Sequence, residues 1–368
     1  MTHFPLLLGS EIYRNSVYGR QHPLSIPRVS VTLDLIRALG WWDEARYHSV
    51  VPASREQLTR YHAPEYVEAV IQAEATRHVS IEHQERFNIG RNGNPVFPEI
   101  FSRPATSCAA SILAAGLLRE GGVAHNPAGG THHGQRGQAS GFCYFNDPVL
   151  GILAFLDQGL QRILYVDIDA HHGDGVQDAF HDEDRVLTIS IHEEGRWPRT
   201  GTLDDRAGGM ARNLPVPAGF NDDELAYLVE QAILPLAQRF KPEAVVLQCG
   251  CDGLEDDPQS RLSLSNRAIW HAVDLLHRTA PRALVLGGGG YNPWAVARCW
   301  AGIWGVLNGH AREIDLPQEA QSVLGDITWN HSRGRNPPPH WHTTLADPPR
   351  NGPIRAEIRM AASAALDL

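Results

Sequence analysis

Four segments of the chain gather carboxylates, imidazoles and a phenol at points where extended backbone gives way to glycine. The first reads Asp167-Ile-Asp169-Ala-His171-His172-Gly-Asp174-Gly175 and closes an apolar run over 163–169. In extended chain, alternate side chains share a face, so Asp167, Asp169 and His171 are expected to point the same way. One carboxylate and one imidazole two residues apart suit a borderline divalent metal. The remaining carboxylate is free to serve a second ion or to orient a neighbouring histidine. The second segment, Cys249-Gly-Cys-Asp252-Gly253, ends the apolar run 244–249 and offers Asp252 as a third ligand. Alone, Asp252 reads as a turn residue. With Asp169 and His171 it completes two carboxylates and one histidine, a set that leaves a coordination position open, as catalytic rather than structural metals require.

The third segment, Gly129-Gly-Thr-His132-His133-Gly134, holds two adjacent imidazoles in a glycine-flanked turn. They are candidates for acid–base work, each needing a carboxylate to fix its tautomer; Asp167 and Asp174 suit that role. The fourth, Gly287-Gly-Gly-Gly290-Tyr291, carries a phenol on backbone that can approach a ligand closely and donate to a developing oxyanion. It lacks GxGxxG spacing and runs into Pro293, which argues against a dinucleotide site.

These residues need strands to deliver them. The runs 163–169, 186–191, 244–249 and 283–287 are short and almost wholly apolar, as strands buried on both faces are. Helical periodicity falls at about 104–119, 148–159, 222–239, 265–279 and 293–308, with Asn221-Asp-Asp-Glu224 and Ser265-Asn266 as helix starts. Alternation of the two predicts an α/β fold: a mainly parallel sheet with helices on both faces and ligands beyond the strand carboxyl ends. Residues 192–213 lack a period and read as a long functional loop. The stretch from Pro337 to about 352 reads as surface chain, and 353–368 as a short closing helix. Without a repeat or linker, residues 1–368 are expected to form one domain, with a core over about 9–310 and an extension, 311–368, packed on it.

Composition narrows the function. The net charge is −10, from 32 Lys and Arg against 42 Asp and Glu, and the arginines are dispersed. Nucleic-acid and anionic-membrane binders need clustered cations, so neither is expected. Lys241 is the single lysine, a scarcity that codon bias explains. Five cysteines, 108, 143, 249, 251 and 299, lie in apolar segments and read as reduced, buried thiols. No apolar run approaches the length of a membrane span, and Phe4 to Leu8 is too short for a signal peptide. A cytoplasmic protein is the expectation.

The segments GGTHHG, GFCYFND (Gly141 to Asp147), DIDAHHGDG, CGCDG and GGGGY occur in the order and spacing of the histone deacetylase superfamily, which the chain resembles from about residue 9 to 310. HPLSIPRVS, ERFNIG and NPAGG look like the bacterial acetoin-utilisation deacetylases. The resemblance implies an arginase/deacetylase-like fold and a zinc ion, or Fe2+ in its place, on Asp169, His171 and Asp252. It implies His132 and His133 as the proton-transfer pair, bonded to Asp167 and Asp174, with Tyr291 polarising the substrate carbonyl. It further implies a structural potassium ion on Asp167, Asp169, His171, Ser190 and Ile191. Gly141, Phe142, Trp197, Gln259 and Gly289 would line the substrate channel, and Arg28 the inner cavity. His172 and His192 would stand nearby in support.

Three positions depart from the family pattern. Gly93 stands where many members carry an acid that grips the substrate backbone, with Asn92 and Asn94 as candidate substitutes. Trp197 stands where Phe is common, and Gln259 where Leu or Met is usual. The expected activity is hydrolysis of the amide of an acetylated or otherwise acylated lysine in a protein or peptide, releasing acetate and the free amine. The alternative is an amidohydrolase for small acetylated amines such as acetylpolyamines, which the negative charge would favour. A non-catalytic binding member would be expected to lack Tyr291 or a metal ligand, and the chain has all of them.

Overall fold

The computed structural model describes residues 4–19 and 21–367. Among the described residues, eight strands form one sheet: β1 (Leu6–Gly9), β2 (Tyr47–Ser49), β3 (Gly122–Asn126), β4 (Ile163–Asp167), β5 (Val186–Glu193), β6 (Ala211–Val216), β7 (Ala244–Gln248) and β8 (Arg282–Leu286). Their order is β2-β1-β3-β8-β7-β4-β5-β6, and every pairing is parallel. This is the expected arginase/deacetylase-like α/β architecture.

Strand alternation divides the core in two. Leu164 and Val166 of β4, Val245 and Leu247 of β7 and Val285 of β8 face one side. There they meet the helices Val29–Ala38, Asn266–Leu276 and Pro293–Leu307. Ile163, Tyr165, Val246 and Leu284 face the other side with the helices Ser102–Leu117 and Asp147–Asp157. Both faces are covered, so continuous apolar runs are what these strands require. A third apolar cluster, including Tyr18, Tyr66, Phe97, Tyr144 and Tyr291, packs beyond the strand carboxyl ends and walls the site.

Several expectations are corrected. The β4 ladder stops at Asp167 rather than running to 169. Residues 192–213 are not one loop, because β5 continues to Glu193 and β6 begins at Ala211. The stretch 222–239 is helical as expected, running from Asp222 to Phe240, with one wider turn at Val229–Ile233 next to Pro235, which has no N–H to give. The 337–352 stretch is not surface chain: Trp341, Leu345 and Ala346 are buried in the main core, and Asp347 pairs with the buried Arg298. The closing helix is Ala356–Leu366.

All five cysteines are free and buried. Among the described residues, no helix is long and apolar enough to cross a membrane.

Candidate active site

The sheet order places β3, β8, β7 and β4 side by side, so the four segments with unusual chemistry emerge from neighbouring strand ends. Beyond Asp167 the chain bends, and hydrogen bonds hold the bend in place of the ladder. Asp167 Oδ1 accepts the N–H of Asp169, and Asp169 Oδ1 accepts that of His171. Each carboxylate thus ties down the backbone two residues on, which preserves the convergence that strand alternation alone would have lost.

Asp169, His171 and Asp252 offer ligand atoms that all lie within 4.8 Å of one another. His171 Nδ1 is 2.9 Å from Asp252 Oδ2 and 3.2 Å from Asp169 Oδ1. Both carboxylates are buried. The backbone N–H of Ala170 donates to Asp252 Oδ1, and those of Gly289 and the Gln248 carboxamide to Asp169 Oδ2. A Cβ at Gly250 would collide with Asp169, and one at Gly289 with Asp252. Two buried carboxylates facing one imidazole carry excess negative charge, which a divalent cation would neutralise. The donor set and its glycine cradle fit a metal ion.

The rings of His132 and His133 lie side by side, centroids 3.9 Å apart and tilted by 51°. His132 Nδ1 lies 2.7 Å from Asp167 Oδ2, and Tyr165 donates its phenol O–H to that same oxygen. His133 Nδ1 lies 2.6 Å from Asp174 Oδ1, at the first turn of the helix Asp174–Ala179. Burial would lower both imidazoles. The charges of Asp167 and Asp169 outweigh it at His132, which is raised to about 9. At His133, burial and the neighbouring His132 prevail, and it is lowered to about 4.

Tyr291 follows Gly288 and Gly290, both at positive φ (142° and 140°), and donates its N–H to Asp257. Burial and the nearby Asp252 and Asp169 hold its phenol far above its ordinary range, so it stays a donor. A cavity of about 540 Å³ reaches this group between Phe142, Trp197, Gly141, His133, His171, Gln259 and Tyr291, with Asn88, Asn92 and Ser140 at its lining. Trp197 lies against His133, centroids 4.6 Å apart and nearly perpendicular. An inner recess of about 50 Å³ continues past Asp169, His171 and Asp252 to Arg28, which donates to the carbonyl of Gly288 and stacks over Trp300.

Of the remaining expected residues, Ser190 lies level with Asp167 across β4 and β5, and Ile191 packs into the core. Ser190 Oγ bonds His192, whose ring lies 4.8 Å from that of His172. Of the two candidate substitutes for a rim acid, Asn94 is buried and accepts the N–H of Phe142, so it holds the wall, whereas Asn92 reaches the cavity.

Sequence reasoning missed Gln248, Tyr165 and Asp257. A polar Gln248 ending the apolar run of β7 was a usable signal, as was Tyr165, which shares a strand face with Asp167.

Residues 22–307 match the histone deacetylase domain. The chain is 38% identical to histone deacetylase 1 of rice (Oryza sativa subsp. japonica) over 310 residues, 82% of this chain and 60% of that one. It is 36% identical to human histone deacetylase 1 over 313 residues, 83% of this chain and 64% of the other. It therefore spans less than two thirds of the length of these curated relatives. The solved structure of an HDAC homologue from Aquifex aeolicus superposes with a TM-score of 0.93 at 35% identity, covering 99% of this chain and all of that one. An HDAC homologue solved in complex with SAHA gives a TM-score of 0.94 over the same shares, also at 35% identity.

Proposed function

Because this chain belongs to the histone deacetylase family, we propose that it is a metal-dependent hydrolase that cleaves the amide of an acylated lysine side chain, releasing a carboxylate and the free amine. The observation that carries this reading is the convergence of Asp169, His171 and Asp252 at the base of a cavity that His133 and Tyr291 also line. A zinc ion held by these three, or iron(II) in its place, would supply Lewis acidity to the amide carbonyl and to a water.

The chain's own groups do the rest. His132 and His133 each turn Nδ1 to an aspartate, which leaves both Nε2 atoms for proton transfer in the cavity. The pair takes a proton from the attacking water, and His133, on the cavity wall, returns one to the departing amine nitrogen. Tyr291 donates its phenol O–H to the oxygen on which negative charge develops. Phe142 and Trp197 flank the aliphatic stem and exclude water from the reacting carbon. Arg28, at the end of the inner recess, is suited to receive the released carboxylate. A potassium ion on Asp167, Asp169, His171, Ser190 and Ile191 belongs to the same proposal, as does residence in the reducing cytoplasm, which five free buried thiols suit.

A peptide or protein carrier is favoured over a polyamine by the cavity mouth. Asn88, Asn92, Ser140 and Gln259 line it, and among the described residues no carboxylate lines it to hold a second ammonium group. An HDAC homologue solved with SAHA matches 99% of this chain, and SAHA is proposed to enter the same cavity here. Acetate release from an acetyl-lysine peptide, measured beside acetylputrescine, tests the reading. Faster turnover of the peptide is expected; turnover of acetylputrescine alone would overturn the choice of carrier.

A further inference from the structure

Asp257 is almost fully buried, at 1% exposure, five residues beyond Asp252. Its two carboxylate oxygens serve two different parts of the site. Oδ2 accepts the backbone N–H of Tyr291 at 2.6 Å, and Oδ1 accepts that of Gln259 at 2.9 Å. A turn that only needed closing would not send one oxygen across 34 residues of chain to the phenol-bearing strand end.

The loop that carries Asp257 is itself held from outside. Asn292 donates its carboxamide to the carbonyl of Asp256 at 3.3 Å, a second link to the residue after Tyr291. Arg333 donates to the carbonyls of Glu255 and Asp257, both at 3.2 Å. Trp341 donates its indole N–H to Asp256 Oδ2 at 2.9 Å and stacks on Trp294, three residues past Tyr291. The contacts from 333 and 341 come from the segment after 310.

We propose that Asp257 is a positioning residue: its single carboxylate sets the backbone of Tyr291 and of the rim residue Gln259 together, and the C-terminal segment, through Arg333 and Trp341, fixes the loop that presents it. The proposal rests on the reading of Tyr291 as the oxyanion donor. A buried carboxyl group whose two oxygens each take a backbone N–H fixes both amides relative to one another, and a misplaced donor costs rate steeply. The carboxylate does not touch the reacting atoms; it acts through the phenol.

The test combines turnover with backbone exchange. Asp257→Asn leaves one amide N–H group facing a backbone donor, so one of the two bonds is lost. Its kcat on an acetyl-lysine peptide is expected to fall about tenfold or more with KM changed less than about threefold. In a Tyr291→Phe background the same substitution is expected to cost less than about twofold, because the donor that it positions is already gone. Amide hydrogen exchange of a peptide spanning 288–292 is expected to speed up in Asp257→Asn, and by a smaller factor in Arg333→Ala, which leaves the carboxylate intact. Equal turnover penalties in the two backgrounds, or exchange at 288–292 unchanged in Asp257→Asn, would reduce Asp257 to a turn residue and overturn the proposal. Absence of wild-type turnover would count against the proposed function instead, and the exchange comparison would still decide the role of Asp257.

Discussion

His133 and Asp174, 41 residues apart in the chain, meet with Nδ1 and Oδ1 2.6 Å from each other. The contact joins the turn after β3 to the first turn of the helix that follows β4, and it turns the free Nε2 of His133 toward the cavity.

That contact predicts a graded loss. His133→Ala should lower kcat by about 100-fold or more, the usual worth of a general acid–base group. Asp174→Asn, which keeps an acceptor but removes the charge, should cost less, about tenfold. Steady-state acetate release from an acetyl-lysine peptide measures both. An unaffected kcat in His133→Ala would remove that imidazole from the reaction.

Tyr291→Phe removes one hydroxyl from a buried site without changing its shape. Loss of a single oxyanion donor typically costs about 100-fold or more in kcat. Bound zinc, measured by atomic absorption, should stay at the wild-type level, because the phenol is not among the three converging ligands. A kcat within a few-fold of wild type would show that the phenol does not polarise the carbonyl.

The channel wall allows a controlled steric test. Gly141 has a φ of 53°, and a Cβ there would sit 2.5 Å from His133 Cδ2 and 2.6 Å from Trp197 Cη2. Gly137 lies nearby in sequence, yet a Cβ there would meet nothing within 4 Å. Gly141→Ala should therefore lower kcat/KM by about tenfold or more, since it displaces the imidazole that must be held in place. Gly137→Ala should leave kcat/KM within about twofold. Similar values for the two variants would show that the wall tolerates the extra atom.

Acid should destabilise the protein through two histidines away from the converging Asp169, His171 and Asp252. His62 accepts the backbone N–H of Asn146, and His125, on β3 opposite Val285 of β8, has Nδ1 on the carbonyl of Val285. Burial lowers each from an ordinary value of 6.5 to about 4. In the unfolded chain both would take up protons first, so stability is fully present above about pH 6.5 and declines as pH falls towards 4. Each group is worth roughly 3 kcal/mol at the acid end of that window. Calorimetry of chelated protein should show Tm falling steadily between pH 6.5 and 4.5; a flat Tm there would contradict the burial argument.

Much of this was legible in the residues, and the limits had physical causes. The runs at β4, β5, β7 and β8 declare themselves because strands covered on both faces are apolar throughout. The edge strand β6 carries Arg212, Asn213 and Pro215, and β2 is three residues long, so neither has such a pattern. Trp341 and Leu345 sit in a Pro- and His-rich stretch that reads as surface, and only the tertiary contacts of the C-terminal segment bury them. In the site, the charged residues stood out at strand ends. Asp257 did not, because its importance lies in a bond across 34 residues of chain, and Gln248 showed only as a polar end to an apolar run, its partner Asp169 lying 79 residues away; Tyr165, two residues from Asp167 on the same strand face, was open to reading.

The central claim is that Asp169, His171 and Asp252 hold a metal ion on which amide hydrolysis depends. The direct measurement is acetate release from an acetyl-lysine peptide by protein stripped with a chelator, then resupplied with zinc. Turnover should vanish on stripping and return with about one equivalent of zinc, and Asp252→Asn should show no such recovery. Turnover that survives chelation, or its absence from every acyl-lysine substrate in the zinc-loaded protein, would contradict the account.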